Sequence, residues 1–486
     1  MKLLQDILYK AGLEEVVGNT HLAVERIVFD SRKAEAMTVF VAIKGFQTDG
    51  HLYIDKAVEQ GTRIVVCETM PDQFAEGVTY VRVKDSAEAL GVMASNFFDN
   101  PSEQIKLVGV TGTNGKTTVT TLLHRLFKSM GYKVGLLSTV VNLIGNEEVK
   151  ATHTTPDPVQ LNALLAKMVE AGCEFCFMEV SSHAIDQRRI AGLTFAGGAF
   201  TNITRDHLDY HETFDKYIGA KKAFFDELPS QAFSLFNADD VHGEIMAQNT
   251  RSKVYSFGLR SDADFKVRIL ENHFQGLNLV IDGAEVWTKL IGRFNAYNVL
   301  TAYAISVLLG QDKMEVLTMI SNITPPDGRF EYVTSTEGVI GIVDYAHTPD
   351  ALKNVLSTIA DIRNGSEQVI TVVGCGGDRD KGKRPQMANI ACQFSDRVLL
   401  TSDNPRSEDP EAIIADMEEG VDRSSAKKVT SITDRAEAIQ AAVSLAKPGD
   451  IILVAGKGHE TYQEIKGERF DFDDMSILTQ KLNPTT

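Results

Sequence analysis

The sequence predicts an α/β protein of three domains: a small α/β N-terminal domain over residues 1–98, a central parallel-sheet domain over residues 99–328 and a C-terminal doubly wound domain over residues 329–486. Three observations lead there. A chain of 486 residues has room for roughly three domains of about 150 residues. From residue 105 onward, apolar runs of parallel-strand length alternate with helical patterns, which argues for helices layered on a mostly parallel sheet. Two turn-rich segments punctuate the chain, Phe97-Phe98-Asp99-Asn100-Pro101-Ser102 and Pro325-Pro326-Asp327-Gly328-Arg329-Phe330, and each reads as a boundary.

The elements follow in order. In the first domain Arg26-Ile27-Val28-Phe29 and Thr38-Val39-Phe40-Val41-Ala42 are strand-like, beside two helical patterns. In the central domain residues 105–110 form an apolar strand, a Gly/Thr loop follows, and a helix runs to Met130. Residues 133–138, 175–180 and 198–202 are further strand candidates, and residues 295–309 a helical run. The last domain holds strand candidates at 339–344, 369–374, 397–401 and 450–455, with helices between them such as 434–446, a Rossmann-like alternation. No internal repeat or low-complexity segment interrupts it.

Composition narrows the function. The formal net charge of −17 disfavours a general nucleic-acid binder, which would present a basic face, yet allows an anionic substrate in a locally basic site. Apolar runs such as Phe175-Cys176-Phe177-Met178 stop far short of the ~18 residues of a membrane span. The start, Met1-Lys2-Leu3-Leu4-Gln5-Asp6, meets an acid before an export-signal core could form. Five cysteines make no disulfide framework. Cys173 and Cys176 lack a second pair with zinc spacing and read as strand thiols packed as small hydrophobes in a reduced, cytoplasmic protein.

The strongest local signal is residues 109–118, G-V-T-G-T-N-G-K-T-T, between an apolar strand and a helix. Glycines let backbone N–H groups curl around phosphate oxygens, and the helix N-terminus adds partial positive charge. Lys116 would neutralise the terminal phosphates and the Thr117 hydroxyl would ligate Mg²⁺. The strict G-x-x-x-x-G-K-[ST] pattern is not met, because its first glycine falls on Val110. The G-K-T core in this setting still predicts an ATP site and makes the central domain P-loop ATPase-like. Glu179 ends one strand and His207 follows the next, where open α/β sheets bind ligands, so both are candidate Mg²⁺ ligands.

Residues 111–118 (T-G-T-N-G-K-T-T), 178–183 (M-E-V-S-S-H), 201–211 (T-N-I-T-R-D-H-L-D-Y-H), 292–298 (G-R-F-N-A-Y-N) and 344–349 (D-Y-A-H-T-P) resemble, in order and spacing, the Mur ligases and the related folylpolyglutamate synthases. The resemblance covers nearly the whole chain, including Asp30-Ser31-Arg32, and points to the Mur branch that adds the third residue of the peptidoglycan stem peptide. It implies an ATP- and Mg²⁺-dependent amide ligase that works as a cytoplasmic monomer. Gly112, Thr113, Asn114, Gly115, Lys116, Thr117 and Thr118, with Asn295, Asn298, Asp344 and His347, would hold ATP. Thr117, Glu179, His207 and a carbamylated Lys221 (N6-carboxylysine) would hold the metal, and Arg329 would clamp the transferring phosphoryl group across a domain boundary. A carbamate requires a neutral amine, so the Lys221 surroundings must lower its pKa. Spacing alone does not separate Lys221 from Lys222, and Asn295 and Asn298 equally suit helix-cap roles.

The resemblance also implies UDP-N-acetylmuramoyl-L-alanyl-D-glutamate as one substrate. Ser31, and with less weight the loop from Lys44-Gly45-Phe46 to His51, would meet its uridine end. Thr154, Thr155, Ser181, Gln187 and Arg189 would meet the sugar dipeptide. Ser31 capping a turn and Arg189 pairing with a surface acid are the plain alternatives. For the incoming amino acid, Arg379, Asp403-Asn404-Pro405-Arg406 and Gly456 to Glu460 follow three strands. D-N-P-R marks family members that add meso-2,6-diaminopimelate, whose distal carboxylate L-lysine lacks, and a planar Arg406 fork can grip that group bidentately. The alternative pairs Arg406 with Glu408 or Asp409. The rival readings are the lysine-adding ligase, a folylpolyglutamate synthase and an ATP-binding switch without ligase activity. A nicotinamide dehydrogenase lacks the needed G-x-G-x-x-G, since Arg379 stands where its last glycine belongs.

Overall fold

The computed structural model describes residues 1–45, 48–151, 153–363 and 365–483. Its first sheet has five strands in the order Leu13–Val17, Thr79–Val83, Ile64–Cys67, Thr38–Val41, Arg26–Val28, parallel except for the first pair. The period-2 alternation of these strands sends Val39, Val41, Ile64 and Val66 to one face, against Leu90 and Met93 of helix Ser86–Phe97. Phe40, Val65 and Tyr80 face Ile54 and Ala57 of helix Ile54–Glu59 on the other.

The central sheet has eleven strands. Its middle runs Val134–Leu137, Phe175–Glu179, Lys106–Thr111, Gly197–Phe200, Phe233–Asn237 and Lys253–Gly258, all parallel. Helix Lys116–Ser129 and helix Arg293–Leu308 cover one face through Leu122, Leu126, Val299 and Tyr303; Leu161, Leu165, Phe224 and Phe225 cover the other. The strands expected at 105–110, 133–138, 175–180 and 198–202 are present within a residue or two. An antiparallel meander of Phe265–His273, Gly276–Ile281 and Ala284–Thr288, not anticipated from sequence, extends the sheet. Cys176 lies in its strand, but Cys173 sits in the turn just before it rather than on the strand. Both are buried, all five cysteines are free, and burial raises both thiols above their ordinary pKa.

The third sheet has six strands in the order Glu331–Thr334, Ile340–Asp344, Ile451–Ala455, Val369–Cys375, Arg397–Ser402, Val429–Ser431, antiparallel only at its first edge. Among the described residues no helix is long and apolar enough to cross a membrane. The carboxyl ends of the central and third sheets face one another, and the candidate site lies between them.

Candidate active site

The phosphate loop leaves strand Lys106–Thr111 and enters helix Lys116–Ser129. That helix begins at Gly115 with no side-chain cap, whereas Asp85 and Asp157 cap helices Ser86–Phe97 and Pro158–Glu170. Its first N–H groups therefore stay available to an anion. Gly112 has φ 149° and a β-carbon there would lie 2.0 Å from Thr201 Oγ1; at Gly115, φ 91°, it would lie 2.6 Å from Asn298 Oδ1. The loop is pinned from below: Thr113 N donates to the Asn202 carbonyl at 2.8 Å, Asn114 N to Asn202 Oδ1 at 2.9 Å, and Thr201 Oγ1 to the Asn114 carbonyl at 2.6 Å. Lys116 Nζ folds back onto the carbonyls of Gly112 and Thr113, at 2.8 and 2.9 Å.

Two cavities open from this loop. One, of about 670 Å³, runs from Gly115 and Thr118 past Asn298, Tyr297 and Phe294 to helix Pro349–Ile362 of the third domain. Asp344 forms part of its wall and accepts a 2.7 Å bond from Phe330 N; burial pushes its carboxyl up to about 6. Asn298 faces the loop as expected, but Asn295 does not line the cavity. It is buried, donating to the Ile291 carbonyl and accepting from Asn298 Nδ2, both at 2.8 Å.

The other cavity, of about 270 Å³, joins Lys116 and Thr117 to both Glu179 and the loops of the third sheet. Arg329 lines both cavities. Its guanidinium lies 4.6 Å from the Tyr345 ring centre and donates to Thr117 Oγ1 at 3.2 Å, so it already spans the boundary. Its Nε is buried with no partner.

The Glu179 carboxylate accepts from Thr139 N and Oγ1 at 2.8 and 3.1 Å. His207 adopts a left-handed φ of 54°, a conformation uncommon outside glycine; burial keeps its imidazole far below its ordinary pKa, against the pull of Asp206, and therefore neutral. Lys221 is buried, with Nζ 2.9 Å from the Gly112 carbonyl and 4.7 Å from the Tyr217 ring centre. Burial first, then the Lys116 charge, lowers its pKa well below that of an ordinary lysine, as a carbamate-forming amine requires. Among the described residues no group of three His, Cys, Asp or Glu gathers for a metal. Thr117, Glu179 and neutral His207 do suit Mg²⁺, which binds through few protein groups plus waters and substrate phosphates.

The sugar-dipeptide candidates divide. Thr154 and Ser181 line the smaller cavity, and Ser181 caps helix Ser182–Asp186. Thr155 is buried beneath it, its Oγ1 donating to the Glu179 carbonyl at 2.8 Å. Among the described residues Arg189 pairs with no surface acid: its Nε and Nη2 hold Gln187 Oε1 at 3.1 and 2.7 Å and its Nη1 the Thr155 carbonyl at 2.8 Å. Ser31 lies in the first domain and lines neither cavity. The local turn cap is Asp30, which accepts from Arg32 N, not Ser31. Phe46 lies outside the described residues.

At the other end of the smaller cavity Arg379, Asp403, Asn404, Arg406, Gly456 and Glu460 converge, as their spacing after three strands implied. Pro405 is not in its wall. Arg406 pairs with neither rival acid. It donates from Nη1 to the Gly377 carbonyl at 2.8 Å, while Glu408 belongs to Arg384 and Asp409 caps helix Pro410–Glu418. Sequence reasoning passed over Lys457, which is fully buried and donates to Asn404 Oδ1 and Glu460 Oε2, both at 3.1 Å. It also passed over Asp206, Tyr345 and Lys383, which line the same cavity. All but Lys383 lie inside motifs quoted for their neighbours, and a charged residue flanked by strand-end glycines, as at Lys457, was the available signal.

Three family models match this chain in succession: "Mur ligase family, catalytic domain" over residues 23–98, "Mur ligase middle domain" over 110–306 and "Mur ligase, glutamate ligase domain" over 328–458. The chain is 58% identical over 481 residues to a UDP-N-acetylmuramoyl-L-alanyl-D-glutamate–2,6-diaminopimelate ligase of Cytophaga hutchinsonii, covering 99% of each. The chain belongs to the Mur ligase family. A second relative of the same description, from Bacteroides thetaiotaomicron, is 53% identical across 99% of this chain and 100% of its own. A solved structure, again of a UDP-N-acetylmuramoyl-L-alanyl-D-glutamate–2,6-diaminopimelate ligase, superposes with a TM-score of 0.69 at 32% identity over 99% of this chain and 98% of that one. The family read from the motifs and the three-domain α/β architecture read from length and strand–helix alternation are thus borne out. Mur ligases are ATP-dependent, and in this one Lys116, Glu179 and His207 line one end of the smaller cavity and Arg379 and Arg406 the other.

Proposed function

We propose that this Mur ligase adds meso-2,6-diaminopimelate to the D-glutamyl carboxyl of UDP-N-acetylmuramoyl-L-alanyl-D-glutamate, with ATP and Mg²⁺, in the cytoplasm and as a monomer. The observation that carries the reading is that Arg406, with no ion pair to Glu408 or Asp409, opens into the same 270 Å³ cavity as the phosphate loop and Glu179.

The chemistry follows from what opposes it. A carboxylate is a poor electrophile, so its oxygen attacks the γ-phosphorus of ATP, giving an acyl phosphate and ADP. The amine nitrogen then attacks the acyl carbon, phosphate leaves, and the ammonium-derived proton passes to solvent or base. Lys116 and Arg329 bring positive charge to the phosphoryl group, whose approach to a second anion is otherwise repulsive. Bound Mg²⁺ would supply further charge screening, held by Thr117, Glu179, His207 and the carbamate of Lys221. Thr154, Ser181, Gln187 and Arg189 orient the sugar dipeptide, and Ser31 anchors its uridine end in the domain of residues 1–98. Asn298, Asp344 and the rest of the larger cavity take the nucleoside. Arg379 and Arg406 grip the carboxylates of diaminopimelate, with Asn404 and Glu460 at its ammonium groups.

The test offers ATP, Mg²⁺ and UDP-N-acetylmuramoyl-L-alanyl-D-glutamate with diaminopimelate, L-lysine or glutamate and identifies products by mass. Product is expected with diaminopimelate, with ADP formed only when both substrates are present. Equal turnover of L-lysine would remove the specificity and leave the ligase.

A further inference from the structure

One peptide group separates the charges around Arg406. The Gly377 carbonyl accepts from Arg406 Nη1 at 2.8 Å, and the Asp378 nitrogen, the other half of the same peptide unit, donates to Glu408 Oε1 at 2.6 Å. In a trans peptide the C=O and N–H point in opposite directions. The guanidinium and the carboxylate, two residues apart in sequence, therefore stand at opposite edges of one plane. Beyond it Glu408 is held by Arg384, with Nη1 at 3.0 Å from Oε2 and Nη2 at 2.7 Å from Oε1, and by the exposed Lys381 at the longer distance of 3.3 Å. Arg384 also reaches Asp416 at 2.7 Å and has no exposed surface. Asp378 and Arg406 both adopt left-handed backbone, φ 54° and 52°, and the Asp378 carboxylate accepts from Ser407 Oγ at 2.6 Å. Such conformations persist only where surrounding bonds over-determine them. A carboxylate released beside Arg406 would form the bidentate pair that arginine and carboxylate favour, filling the fork needed for substrate.

We infer that Arg384 is a positioning residue for amino-acid selection: by holding Glu408 beyond the Gly377–Asp378 peptide, it keeps that carboxylate from capturing Arg406, whose guanidinium stays open to the distal carboxylate of the incoming amino acid. Arg384 lines neither cavity and reaches Arg406 only through Glu408. The inference rests on the diaminopimelate reading above, which the wild-type ratio of diaminopimelate to L-lysine use tests separately.

Three variants are compared with wild type by steady-state kinetics. Arg384→Met should raise KM for diaminopimelate about tenfold or more while KM for ATP, for the UDP-sugar dipeptide and for L-lysine, which has no distal carboxylate, stays within about twofold. Glu408→Gln should keep diaminopimelate KM near wild type, because no carboxylate remains to capture Arg406. The double variant Arg384→Met/Glu408→Gln should recover most of the loss. A double variant as poor as Arg384→Met, or a parallel rise for diaminopimelate and L-lysine, would overturn the inference in favour of a plain structural brace. Should Arg384→Met fail to fold, Arg384→Lys, which keeps the charge and gives up the fork, is read by the same criteria.

Discussion

The two joints of the chain differ in what faces across them. Between the first and central domains, backbone meets backbone. A β-carbon on Gly91 would lie 2.5 Å from the Ala191 carbonyl oxygen, and one on Gly192 would lie 2.8 Å from Val92 Cα. Val159 adds an apolar contact to the first domain's core, and the Asp85–Arg188 pair, at 3.9 Å, bridges the rim. Between the central and third domains Ile291, Phe274 and Phe294 join the third domain's apolar cluster, but around the cavities the bridges are polar side chains: Arg329 to Thr117, Asn114 Nδ2 to Asp350 Oδ2 at 3.1 Å, Arg205 to Asp380 at 3.5 Å. Close packing of small residues tolerates no sliding, whereas long side chains across a cavity can exchange partners when a ligand arrives. The first joint therefore fixes a distance, and the second is where reactants are enclosed.

The sharpest way to separate the joints is to strike the polar one at its charge. Lys116→Met should cut ADP release about 10³-fold with little loss of thermal stability, since burial disfavours the charged ammonium and offsets its bonds to two carbonyls; a much lower melting temperature would make its role structural. Striking the packed joint should do the reverse. Gly91→Val is expected to cost about 2–3 kcal/mol of stability, measured by denaturant unfolding, while kcat well below the melting temperature stays near wild type.

Asp344 gives the polar joint a pH signature. Burial raises its folded-state pKa from 3.8 to about 6, so the folded protein takes up this proton before the unfolded chain does. Its contribution is fully present below about pH 4 and is lost as pH rises through about 6. Asp344→Asn should therefore be more stable than wild type at pH 8, by about 1–3 kcal/mol, and bind nucleotide less well; equal melting temperatures at pH 8 would count against the buried carboxylate. The smallest effect belongs to Arg125 on the phosphate-loop helix, whose Nη1 holds the Thr324 and Pro325 carbonyls at 2.9 and 2.7 Å. Arg125→Ala should cost about 1 kcal/mol and shift KM for ATP only slightly, which calorimetry and a KM measurement can resolve.

How much of this could be read in the sequence depended on how local each feature is. The parallel strands announced themselves as apolar runs, because a strand buried on both faces needs no alternation. The meander at residues 265–288 did not: its outer strands alternate, break at a bulge near Leu270 and end half in solvent. The phosphate loop was legible because one segment carries the whole device. Arg406 was legible as a residue, but its freedom was not, since that depends on Arg384 claiming Glu408 from another helix. Asn295 and Asn298 looked equivalent three residues apart, and only the packing of helix Arg293–Leu308 turns one inward. Lys457 shows the same limit, a charge one of whose partners, Asn404, comes from a strand end more than fifty residues away.

The buried cysteines give the molecule a practical property. Every one of the five native thiols is out of solvent, and burial pushes Cys67 up to about 11 and Cys375 up to about 12, far from the thiolate that reacts with a maleimide. The unmodified sequence is thus already a blank background for site-specific dyes. Cysteines introduced at Val241, 88% exposed on the central side, and at Lys381, whose side chain is 70% exposed on the other, would be the pair to take the label, and energy transfer between them would time the opening and closing of the polar joint in single molecules.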